Sequence, residues 1–205
     1  MKDTLYRTFY DPTKAFQREP RSFCYDIATN FIRKAKNTSG KDWYVDINTA
    51  SGVLLLLFTW NFAAQETKKL NFQNIESLIR EAKDDLIFLE KYTIKTADNN
   101  AWCVIKHVFD LFRNLLGQTG ASKALSLLNP ELFVMWDTAI RKRLKRELIP
   151  GIRNGERGEY YVKFLKGMQK IIEDYHIAEK LPKNSVVAKK VDEYNYMTIV
   201  KKQKH

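Results

Sequence analysis

Apolar side chains recur three and four residues apart along almost the whole of this chain. Polar breaks, not hairpin dipeptides, separate the segments that carry them. Phe23, Ile27, Phe31 and Ile32 mark one such face over residues 22–36, closed by Asn37-Thr38-Ser39-Gly40. Ile75, Leu78, Ile79, Ala82, Leu86 and Leu89 mark a second, from Asn74 to about Tyr92. The same period predicts helices over 101–116, 121–128, 138–148 and 159–177. The apolar run over 53–64 has 12 residues, too few to cross a bilayer, and reads as a buried core helix capped by Thr49 or Ser51. Loops are expected at 117–120, at Asn129-Pro130 and from Pro150 to Gly158. The segment VVAKKVDEYNYMTIV fits either a short helix or an extended stretch. No internal repeat and no strand pattern is present, so the predicted class is all-α.

Charge narrows the partners. Thirty-five Lys and Arg oppose 24 Asp and Glu, a net of +11. Residues 141–205 hold 17 basic and 8 acidic side chains, which is +9 of that total. An excess of this size points to a polyanion, most often nucleic acid. No apolar leader precedes the first helix, and no membrane partner is expected. Cys24 and Cys103 lie in apolar, helix-like contexts outside any CxxC or Cys/His cluster. They read as buried free thiols of a cytoplasmic protein, with no metal site. His107 and His176 sit on mixed helix faces and read as structural.

The most informative stretch is 104–148, VIKHVFDLFRNLLGQTGASKALSLLNPELFVMWDTAIRKRLKREL. It gives a helix, the turn Gly117-Gln118-Thr119-Gly120, a helix bearing Lys123, an Asn-Pro break, an aromatic segment, Asp137 and a basic helix. Two glycines allow positive φ and close approach of a phosphate to the backbone, with a helix N-terminus behind it. The basic run Arg141, Lys142, Arg143, Lys145 and Arg146 suits phosphate attraction along a groove. Each feature also has an ordinary structural explanation. The turn can be a plain αα-hairpin, Asp137 an N-cap, Lys123 a surface lysine and the basic run a solvated face.

This order resembles the helix–hairpin–helix superfamily of DNA glycosylases, in particular its lysine-bearing, 8-oxoguanine glycosylase-like branch. The resemblance covers about 45 of the 205 residues. The family hairpin has one residue between its glycines where this chain has two, and its lysine-to-aspartate spacing is nearer twenty than 14, which suits a divergent branch. The resemblance implies two helical subdomains flanking a cleft: 98–150 as the helix–hairpin–helix unit, and 1–97 with 151–205 as the second. It implies a monomer that binds DNA and excises a damaged or modified base without a cofactor. Lys123 would attack the sugar, with strand cleavage to follow. Asp137 would stabilise the cationic sugar or orient the attacking group. Gly117, Gln118, Thr119, Gly120, Arg141, Lys142, Arg143 and Lys145 would hold the DNA. Trp60, Asn61, Trp102, Phe133 and Trp136 are candidates for stacking the extruded base, although aromatic rings at helical spacing are more often core. A non-catalytic helix–hairpin–helix DNA-binding protein and an all-α interaction protein are the alternatives.

Overall fold

The structure, a computed structural model, describes residues 5–60, 70–148 and 158–201, with the side chains of 145–148 outside that description. Asn61, the Lys145 side chain and most of the expected 150–158 loop therefore lie outside the described residues. The described chain is helical, with no strand among its residues. After a single α-helical turn, Thr13–Phe16, eight longer helices follow in order: α1 (Pro20–Ser39), α2 (Ile47–Trp60), α3 (Phe72–Glu81), α4 (Lys83–Leu89), α5 (Asn99–Leu128), α6 (Thr138–Leu148), α7 (Gly158–Asp174) and α8 (Val187–Asn195). A π-helical turn, Tyr196–Val200, continues α8. None of the described helices is long and apolar enough to cross a membrane.

Local chemistry sets several boundaries. Helix α2 starts earlier than the sequence suggests, because Asp46 Oδ1 accepts the Asn48 N–H at 2.7 Å and caps it. Thr49 and Ser51 lie inside the helix, where their hydroxyls donate to the Trp43 and Ile47 carbonyls. The expected single helix over 75–92 is two, divided at Ala82. Asn71, not Asn74, caps the first of them. Asp98 caps α5 by accepting from Asn100 and Ala101 at 3.0 Å each.

One continuous core joins the elements. Helices α1 and α2 pack together, α2 lies on α3 and α5, and α5 packs on α4 and α7. Chain ends meet: Tyr6 donates to Asn195 Oδ1 at 2.6 Å, Tyr194 donates to the Leu5 carbonyl at 2.7 Å, and Lys201 pairs with Glu19. Helix α8 is thereby held beside α1. Cys24 is partly buried and Cys103 exposed, both as free thiols; the expected burial of Cys103 is corrected by its place on the outer face of α5. His107 pairs with Asp85 at 2.8 Å and His176 with Glu179 at 3.3 Å, both on the surface.

Candidate active site

Helix α5 is broken once, at Gly117, with φ +69° and ψ 173°. Non-glycine residues essentially never adopt this conformation. The expected turn over 117–120 therefore contracts to a single residue. Gly120 does not hold positive φ and is buried within the second arm of α5. That arm is buried on every side from Gly120 to Leu128, so a lysine within it is largely removed from bulk water. Lys123 is 5% exposed. Its Nζ donates to the Trp60 carbonyl at 2.5 Å and lies 5.8 Å from the Trp60 ring centre.

Past a turn at Pro130–Leu132 the chain is non-helical through Phe133–Asp137, and Leu132–Trp136 are all buried. Buried backbone amides need partners, and side chains supply them here. Ser122 Oγ accepts the Trp136 N–H at 2.9 Å, Asp192 Oδ1 accepts that of Met135 at 2.8 Å, and Tyr161 donates to the Val134 carbonyl at 2.8 Å. The segment delivers Asp137 to the start of α6, where Oδ1 accepts the Ile140 N–H at 3.0 Å. Oδ2 has no hydrogen-bond partner among the described residues. Capping and a place in the cleft are thus met by the same carboxylate.

Lys123 and Asp137 line one cleft with Arg21, Trp60, Asp192 and Tyr196, among others. Burial lowers the Lys123 pKa to about 8; Asp137 draws it back upward, Arg21 pushes it further down, and Asp192 raises it. Helix-start electrostatics do not lead: the lysine stands six residues past Gly117, beyond the first turn of its arm. Trp60 and Tyr196 face each other with ring centres 6.2 Å apart and planes 17° from parallel. The Arg21 guanidinium lies 6.0 Å and 5.5 Å from their centres. The space within the cleft is about 20 Å³, room for one water. A wider, open groove of about 310 Å³ beside His176 and Glu179 lacks a buried titratable group.

The remaining expected site residues are distributed differently. Trp136 packs against Phe109, Tyr161 and Phe164, Phe133 stacks on Tyr161, and Trp102 lies under Lys166. These three are core rings and line no part of the cleft, a correction that follows from their packing: Trp102 on α5 and the non-helical Phe133 and Trp136 all lie against α7. Arg141 is also corrected. It is half-buried, donates to Thr119 Oγ1 at 3.3 Å, the Trp136 carbonyl at 3.1 Å and Thr138 Oγ1 at 2.8 Å, and sits 5.5 Å from the Trp136 ring centre. It fastens α6 to the hairpin. Lys142 and Arg143 are exposed on the same helix, as is Gly117, while Gln118 and Thr119 are half-buried.

Sequence reasoning missed Arg21, Lys189, Asp192, Glu193 and Tyr196. Two of the tail's lysines are engaged internally. Lys189 lies 3.7 Å from the Tyr25 ring centre and 3.6 Å from Glu193, and Lys190 pairs with Glu193 at 3.1 Å. The available signal was Lys189, Asp192 and Tyr196 at helical spacing, one stripe of a helix whose polar face turns inward. Among the described residues no group of three His, Cys, Asp or Glu could hold a metal ion. In comparisons with known proteins, the chain matches no family model, no curated protein and no solved structure.

Proposed function

We propose that this chain is a divergent helix–hairpin–helix DNA glycosylase that excises a damaged or modified base. The observation that carries the reading is Lys123, a buried amine beside Asp137 in a cleft, with its ammonium destabilised by burial. At pH 7 about one molecule in ten holds the neutral, nucleophilic form. Lys123 Nζ attacks C1′ as the C1′–N bond breaks and the base departs with the bonding electrons. The amine sheds its protons and the sugar ring opens to a Schiff base. Loss of a C2′ proton then expels the 3′ phosphate by β-elimination. Asp137 carries negative charge where the sugar becomes cationic. The slot between Trp60 and Tyr196 suits a planar base. A 20 Å³ void does not hold one, so binding requires Trp60 and Tyr196 to part and Arg21, which lies beside the pair, to give way. Exposed Gly117, Lys142 and Arg143 supply the surface for phosphates.

Incubation with lesion-bearing duplexes in the presence of borohydride tests the reading. The expected result is a covalent adduct at Lys123, lost together with base release in Lys123→Gln. The narrow cleft favours one second reading, a DNA-binding protein without a working site. DNA affinity with no base release from any lesion would establish that reading instead.

A further inference from the structure

Asp192 is a fully buried carboxylate on the C-terminal helix, 55 residues after Asp137 in the chain. Its two oxygens are both engaged. Oδ1 accepts the Met135 N–H at 2.8 Å, two residues before Asp137. Oδ2 accepts from Ser126 Oγ at 3.3 Å, one helical turn beyond Lys123. Asp192 also lines the same cleft as Lys123 and Asp137. We propose that Asp192 is a positioning residue for reaction at Lys123, its hydrogen bonds fixing the Asp137 segment against α5 while its negative charge acts on the Lys123 amine.

The charge is what a mere fastening would not need. An amide keeps both contacts without burying an ion, its oxygen accepting the Met135 N–H and its NH2 donating to Ser126 Oγ, and a buried ion is costly unless it is paired. The groups facing Asp192 are Lys189 and Glu193 from α8, Tyr25 from α1, Lys123 from α5 and Tyr161 from α7. Arg21 and Asp137 complete the charges in the cleft. Burial pushes the Asp192 carboxyl up to about 7, against the pull of Lys189 and the two hydrogen bonds, with Glu193 adding to the rise. The carboxyl and the amine thus change charge in the same pH range. An ionised Asp192 steadies the Lys123 ammonium. Protonation of Asp192 removes that support and favours the neutral amine.

The inference rests on Lys123 being the reacting group, but its test needs no DNA. Lys123 of the full chain is trapped with glycolaldehyde and borohydride across pH, and the modified residue is located by peptide mass mapping. In Asp192→Asn the bond from the Met135 N–H is kept, the one with Ser126 reverses its donor, and the charge is gone. The midpoint for Lys123 modification is expected to fall by roughly 0.5–1 pH unit, a gain of about three- to fivefold in labelling at pH 7. An unmoved midpoint in a folded Asn variant overturns the role of the charge. Ser126→Ala keeps the charge and removes one anchor, so an unmoved midpoint and a lower melting temperature are expected. An unchanged melting temperature overturns the fastening, whether or not the Asn variant folds. A shifted midpoint with no base release from any duplex keeps the Asp192 inference and refutes the glycosylase reading.

Discussion

Replacing Lys123 by methionine is expected to stabilise the protein while removing its proposed chemistry. The side chain is buried, and its pKa falls from 10.5 to about 8. At about 1.4 kcal/mol per unit, holding the ammonium inside the fold costs about 3 kcal/mol. Because the folded-state value lies below the unfolded one, folding favours release of the proton. The cost is complete below about pH 8, shrinks as pH rises toward 10.5 and is gone above it. Methionine matches the length of the lysine stem, carries no charge and forfeits the bond to the Trp60 carbonyl, worth about 1 kcal/mol. The net gain is about 2 kcal/mol at pH 6.5, or roughly 4–8 °C in melting temperature for a chain of this size. Urea unfolding at pH 6.5 and 9.5 measures both the gain and its decline. A Lys123→Met protein that is less stable at pH 6.5, or more stable by the same amount at both pH values, refutes the argument that a buried ammonium is the source of the cost. Stability yielded at a reactive residue is the expected compromise of an active site.

Further outcomes follow from the same geometry. Asp137→Asn retains an acceptor for the Ile140 N–H, so the protein should melt normally while base release slows about 10²–10³-fold; normal rates in single-turnover assays contradict the role given to Asp137. A Cβ at Gly117 meets nothing within 4 Å, so Gly117→Ala isolates backbone strain at φ +69° and should cost about 1–3 kcal/mol in urea unfolding. Lys142→Gln, at an exposed position, should leave the melting temperature unchanged and reduce the slope of log affinity against log salt by about 1 in a duplex-binding titration. Arg141→Gln should instead lower the melting temperature, because that guanidinium bridges Thr119, the Trp136 carbonyl and Thr138; a variant of normal stability would return Arg141 to the phosphate surface.

Helical class, the break at Gly117, the stop at Asn129-Pro130 and the capping role of Asp137 were all legible in the chain. Each depends on residues within one or two helical turns, where period, capping preference and glycine's positive φ act without knowledge of distant neighbours. The mistakes came from non-local packing. Arg141 reads as one more member of a basic run until Thr119 and Trp136 fold beside it. Phe133, Trp102 and Trp136 have the composition of a stacking platform, yet Tyr161, Phe164 and Lys166 of α7 cover them.

Lys123 shows where the division lies. By itself the sequence placed a lysine after a helix break and 14 residues before a capping aspartate, an order that depends only on local spacing. A lysine is exposed by default, so the sequence could not put this one inside. Burial followed from tertiary structure: an arm of α5 enclosed on all sides, the Trp60 carbonyl as acceptor, and α8 returning from the far end of the chain to set Asp192 and Tyr196 in the cleft. Those contacts join residues some 60 to 70 positions apart in the chain, beyond the reach of periodicity and capping. Desolvation, which lowers the lysine's pKa more than any neighbouring charge does, exists only once those contacts have closed.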